Sequence, residues 1–216
     1  MPALEEIAEQ VHASFEKMTA ARDRALAQTR TLTRHCAHAI RAVHRDELEL
    51  AQQNLESARL LAVALHTELL EYPQLYYAGY TQDALKEFAE ATLVYALVTE
   101  GAGLPSYQDL NLEPSTYLQG LAEAVGELRR RCLDALLHEQ PQEAQRLLEE
   151  MDEIYSVLVT MDYPDAVTGG IRRLTDVARA IIERTRGDLT LSLGQERLQK
   201  HLLRLQNKLE ESESEA

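Results

Sequence analysis

The chain has 216 residues, 45% of them apolar, with no tryptophan and two phenylalanines, so it can bury one core and that core must be aliphatic. Nine glycines and six prolines among abundant Ala, Leu, Glu, Gln and Arg favour helix over strand. A net charge of −14 argues against a uniformly polyanion-binding surface, no run approaches the ~18 apolar residues of a membrane span, and Cys36 and Cys132 are too isolated for a disulfide framework or thiolate metal site. With acidic Glu5, Glu6 and Glu9 at its start instead of a basic region and an apolar run, the protein is expected in the cytoplasm.

The first helix is predicted from Leu4 to His44. Between Arg22 and Arg45 it carries six arginines and one acid, Asp23; subtracting that local +5 from −14 leaves −19 on the rest of the chain. Arg30, Arg34, Arg41 and Arg45 fall within roughly 60° of one another on a helical wheel, with His38 and His44 at the flanks. This basic stripe is either a solvated face or a phosphate-binding one.

A second helix is predicted from Asp46 to Leu70 and broken at Glu71, Tyr72 and Pro73, since proline disfavours helix before it and lacks the amide of the next turn. Tyr72, Tyr76, Tyr77 and Tyr80 follow as a cluster that reads as core or interface, with base stacking as the alternative. The third helix, Thr81 to Thr99, should end at Gly101. After the longest loop, Ser115 is the expected cap of a fourth helix reaching His138. Pro141 starts a fifth, which reaches Met161. Tyr163 and Pro164 interrupt before a sixth, capped by Asp162 or Asp165 and ended by Gly187, with Gly169 and Gly170 weakening its start. A seventh covers Leu191 to Leu209. The expected organisation is one all-α domain, 1–209, with an acidic, disordered tail, 210–216.

The third and fourth helices carry carboxylates where the pattern otherwise calls for apolar side chains. Glu87 and Glu90 share one face at i, i+3, and Glu123 and Glu127 share another at i, i+4. Same-face acids repel by roughly 0.2–0.5 kcal/mol in water and by far more when buried, so something cationic should stand between them. Asp83, one turn earlier, reads as a helix-start acid favoured by the dipole. Lys86 lies ~100° from Glu87 on the wheel and is expected to be exposed. Of Arg129, Arg130 and Arg131, one or two should face a phosphate and the remainder solvent.

No glycine-rich phosphate loop, zinc-type cluster or serine nucleophile elbow is present. A di-iron bundle needs Glu-x-x-His on two helices, and neither carboxylate pair has histidine at i+3. An all-oxygen set of four glutamates suits a hard cation such as Mg²⁺ or Mn²⁺.

ALKEFAEA at Ala84 to Ala91, YLQGLAEAVGELRR at Tyr117 to Arg130, and a first helix bearing arginines and ending in His44 and Arg45 together resemble the translin family. The likeness is nearest to its nuclease branch, the translin-associated factor X type with archaeal and bacterial relatives. It covers nearly the whole chain and implies a seven-helix translin-like bundle.

In that branch, E-x-x-E on one helix and acid-x-x-x-Glu on the next hold the metal for RNA cleavage, which implies Glu87, Glu90, Glu123 and Glu127 here as metal-binding and catalytic residues. Glu123 stands where better-known members have aspartate. The resemblance implies a Mg²⁺- or Mn²⁺-dependent endoribonuclease with little sequence preference. Its expected substrate is single-stranded RNA or RNA ends, with single-stranded DNA a further partner, held inside a homo-oligomeric shell, an octamer in the family. Arg30, Arg34, Arg41, His44, Arg45 and Arg130 are the expected nucleic-acid contacts. The alternatives are a non-catalytic single-strand-binding protein, as in translin itself, and a helical scaffold with no nucleic-acid role.

Overall fold

The computed structural model describes residues 3–99 and 103–214, with side chains described as far as 207. Among them there is no strand; six long helices and two single turns run in the order α1 (Leu4–His44), α2 (Leu48–Glu68), α3 (Pro73–Tyr76), α4 (Gly79–Val98), α5 (Pro114–Leu137), α6 (Pro141–Leu158), α7 (Asp165–Thr168) and α8 (Ile171–Ser214). α1 packs on α2 and α4, α4 on α5, and α5 on α6 and α8. One aliphatic cluster built around Leu32, Leu65, Phe88, Leu93, Leu128, Leu147 and Met151 joins these layers, as the composition required.

Several boundaries differ from the sequence reading. The α1–α2 hairpin turns through Asp46 in a left-handed conformation (φ 59°), so α2 starts at Leu48. Pro114 at the first turn begins α5, with Glu113 and not Ser115 at the cap position. Gly169 and Gly170, at φ 63° and 84°, cut the expected sixth helix into the turn α7 and the start of α8. The break expected at Gly187 is absent: α8 runs through it, because a lone interior glycine costs only about 1 kcal/mol and Arg129 of α5 clasps both sides, donating to Thr185 Oγ1 and Asp188 Oδ2 at 2.9 Å each. The predicted stop at Gly101 lies outside the described residues. α8 is helical to Ser214, while the side chains of the 210–216 tail lie outside the described residues.

At 41 residues, α1 is roughly 60 Å long and outruns the body it packs on. Its first turns are exposed and carry Leu4, Ile7, Val11 and Phe15 at 84, 42, 44 and 59% exposure. The far end of α8 likewise exposes Leu191, Leu198, Leu202 and Leu205.

Candidate functional site

The site forms where α4 crosses α5, and the closeness of that crossing comes from Gly120. A Cβ built there would stand 2.6 Å from Ala89 Cβ, 2.8 Å from Lys86 O and 2.9 Å from Glu90 N, so no larger residue fits without parting the helices. One turn along α5, Glu123 therefore faces Glu87 and Glu90 of α4. One carboxylate oxygen from each of these three lies within 4.8 Å of the others. Glu127, one further turn along, joins the same electrostatic group.

Glu90 is the innermost acid, 9% exposed. Burial first, then the charges of Glu87, Glu123 and Glu127, push its carboxyl up to about 8 against the pull of Lys86. Burial also raises Glu87, with Glu123, Asp83 and Glu127 adding to it and Lys86 opposing it. Glu127 goes the other way, held low by its hydrogen bond to His44.

Two basic side chains meet these acids, and sequence periodicity had assigned both elsewhere. Lys86, expected to be exposed, is 17% exposed; its Nζ donates to Glu123 Oε1 at 2.9 Å and stands 4.0 Å from Glu87. Its long stem carries the ammonium across the ~100° by which the wheel had set it aside. Burial works to lower its pKa, but the bond to Glu123 and the charges of Glu123, Glu87 and Asp83 outweigh burial and raise it.

His44, grouped in the sequence with the phosphate-binding stripe, is turned inward with a side chain 3% exposed, and its Nε2 lies 2.6 Å from Glu127 Oε2. A carboxylate can only accept, so Nε2–H donates; Nδ1 is buried with no hydrogen-bond partner among the described residues. His44 thus belongs to the acidic site and is closed to a phosphate.

The stripe itself stays on the surface. Arg30, Arg34, Arg41 and Arg45 are exposed and have no ion pair among the described residues, whereas Arg22 and Arg24 are paired to Asp23 and Glu68. Arg30 lines a groove of about 430 Å³ between α1 and α4 that it shares with Tyr80, Asp83 and Glu87, so stripe and acids open on the same cleft. Of the arginine triplet, Arg129 is bound to Asp188 and Arg131 to Asp46, and Arg130, 57% exposed and 4.0 Å from Glu127, is left to reach outward. Among the tyrosines, Tyr76 is buried against His66 and Tyr77, so the core reading holds for Tyr76, whereas Tyr77 is exposed and donates to Glu113 at the surface. Cys36 and Cys132 are buried thiols pushed up to about 12 and about 11, by burial foremost, and neither offers a thiolate.

Three carboxylates converging without any soft donor fit a hard divalent cation. No helix among the described residues is long and apolar enough to cross a membrane.

No family model matches the chain. An uncharacterized protein of Methanocaldococcus jannaschii is 31% identical over 187 residues, covering 86% of this chain and 82% of that protein. Among solved structures, the complex of AfC3PO with duplex RNA has a TM-score of 0.78 at 34% identity, covering 86% of this chain and 95% of that one. The crystal structure of AfC3PO gives 0.78 at 33% identity over 86% and 96% of the two chains. That of apo-NeC3PO gives 0.78 at 20% identity over 89% and 98%, a likeness of fold.

Proposed function

The chain belongs to the translin family, and from that premise we propose that it is a metal-dependent endoribonuclease acting on single-stranded RNA or RNA ends within a homo-oligomeric shell. The observation that carries this reading is the convergence of Glu87, Glu90 and Glu123 within 4.8 Å, beside a cleft whose other wall bears the unpaired Arg30.

Glu90 and Glu123 would hold Mg²⁺ or Mn²⁺, with Glu127 completing the set from its hydrogen bond to His44. When bound, the ion would supply Lewis-acid polarisation of the scissile phosphate and charge for the departing oxygen. Glu87, the outermost of the three α4–α5 acids at 34% side-chain exposure, is either a further ligand or the group that orients the attacking water. Arg30, Arg34, Arg41, Arg45 and Arg130 grip phosphates, which carry no base identity, so sequence preference is weak. That AfC3PO was solved with duplex RNA supports an RNA substrate, and single-stranded DNA is expected to bind through the same contacts.

The projecting arms support assembly. Exposed apolar side chains recur along both: Leu4, Ile7, Val11 and Phe15 on α1 and Leu191, Leu198, Leu202 and Leu205 on α8. The protein would act in the cytoplasm.

The decisive assay is cleavage of end-labelled single-stranded and blunt duplex RNA by the purified chain in Mg²⁺, Mn²⁺, Ca²⁺ or chelator. Internal cuts that need Mg²⁺ or Mn²⁺ are expected; intact RNA in every condition, with retention in a gel shift, returns the chain to the non-catalytic binding class. One observation favours that second reading: Glu123 is already paired with Lys86 and Glu127 is already hydrogen-bonded to His44.

A further inference from the structure

Glu123 and Glu127 of α5 each have a basic partner, but the two partners differ in freedom. His44 is fixed, 3% exposed and enclosed. Lys86 hangs on four methylenes at the edge of a cavity of about 620 Å³ between α4, α5 and the α7–α8 turn, whose walls carry the acids Asp83, Glu123, Asp165 and Asp176 as well as Arg172 and Arg173. Arg172 is tied to Asp162 at 2.7 Å, while Arg173 has no ion pair among the described residues.

The ammonium of Lys86 holds an oxygen of Glu123, one of the three carboxylates that would have to close on a divalent cation. An ammonium and a doubly charged ion sharing one carboxylate repel strongly at protein dielectric, so both cannot remain there. Lysine, a flexible point charge with no planar fork to satisfy, can leave by rotating its stem, and the open direction is that cavity.

We propose that Lys86 is a tethered counterion that guards Glu123 until a divalent cation displaces it, and that the displaced ammonium then meets an RNA phosphate in the adjoining cavity beside Arg173. Metal and RNA then favour each other's binding, since each is stabilised when Lys86 turns outward. The inference rests on the nuclease reading of the site and adds how that site is loaded.

The chain has four lysines, Lys17, Lys86, Lys200 and Lys208, which makes amine footprinting a direct test. Lys86 should react slowly with an acetylating reagent in chelator and several-fold faster when Mn²⁺ is saturating, with Lys17 as the unchanged internal reference, all without RNA. In Ca²⁺, single-stranded RNA should bind about 5-fold or more tightly than in chelator, the low end of ordinary coupling, and Lys86→Met should abolish that gain. Glu123→Gln should raise Lys86 reactivity in the absence of metal with its helical circular dichroism unchanged, and unchanged reactivity in that folded variant overturns the guarding role.

Flat Lys86 labelling across an Mn²⁺ titration in a protein that binds Mn²⁺ by calorimetry overturns this inference and leaves the nuclease reading intact. A Ca²⁺-dependent RNA gain retained in Lys86→Met overturns the phosphate role. Absence of Mn²⁺ binding by calorimetry overturns the nuclease reading and the inference with it.

Discussion

Glu90→Gln isolates the electrostatic strain of the acidic cluster. In the unfolded chain this carboxyl ionises near 4.5, whereas in the folded protein burial and three neighbouring glutamates hold its proton until about 8. The folded state therefore binds the extra proton between those values, so stability is full below pH 4.5 and falls as pH rises through about 8.

Each pH unit in that window removes about 1.4 kcal/mol, which puts the loss near 3 kcal/mol at pH 7 as an upper figure, before relaxation of the site. Glutamine keeps the shape and cannot ionise, so the metal-free variant should melt higher than wild type at pH 7. At about 2–4 °C per kcal/mol for a domain of this size, that upper figure corresponds to a gain of roughly 6–12 °C. It should shrink toward zero at pH 5.

Adding Mn²⁺ should invert the order, because ligand at about 1,000 times Kd stabilises wild type by about 4.1 kcal/mol, more than that deficit, and the variant has lost a ligand. Differential scanning calorimetry at pH 5, 7 and 8.5, with and without Mn²⁺, reads all three effects. Equal melting of the two metal-free proteins across that range would refute a buried, proton-holding Glu90.

Glu123→Ala and Glu127→Ala should each lower RNA cleavage by orders of magnitude with the helical circular dichroism unchanged, since metal ligands act as a unit; near-normal turnover in both sinks the catalytic assignment. Replacing any one of Arg30, Arg34, Arg41 or Arg45 by alanine should weaken binding alike for unrelated single strands and reduce the salt slope by about 0.7, and an unchanged slope returns that arginine to a solvated face. Gly120→Ala places a Cβ 2.6 Å from Ala89 Cβ, so it should destabilise the fold by about 1–3 kcal/mol in urea melts and weaken Mn²⁺ affinity by spreading the acids. RNA binding and cleavage should rise with protein concentration in step with assembly seen by sedimentation, and a fully active monomer contradicts the shell.

The four glutamates were legible because each interrupts an apolar face, a signal that survives in one dimension; the stripe of Arg30, Arg34, Arg41 and Arg45 was legible for the same reason. What the periodicity could not carry was how far a side chain reaches. Lys86 sits on the wrong side of its own helix for the cluster, yet its stem spans the gap to α5 at a crossing held close by Gly120.

His44 looked like a member of the stripe because it occupies the flank of the arginine arc. Burial at the α1–α2 hairpin turns it to Glu127 instead, and the hairpin depends on Asp46 adopting a left-handed conformation that no pattern announces. Gly187 misled in the opposite sense, since a helix-stop signal has local strength of about 1 kcal/mol and the Arg129 clasp to Thr185 and Asp188 overrides it.

These errors share one physical origin: every one concerns a charged or flexible residue whose partner lies on another helix. The sequence cue for such a partner is charge imbalance. Four acids facing one crossing required a cation from the start, and the chain supplies Lys86 from α4, bound to Glu123, while His44 of α1 donates a hydrogen bond to Glu127. That leaves Glu87 and Glu90, the two acids of α4, with no hydrogen-bonded cation of their own among the described residues. A divalent ion held by these acids would relieve their mutual repulsion, while without it burial foremost, and then the neighbouring charges, keep the proton on Glu90, so metal, more than any single residue change, should govern the stability of this crossing.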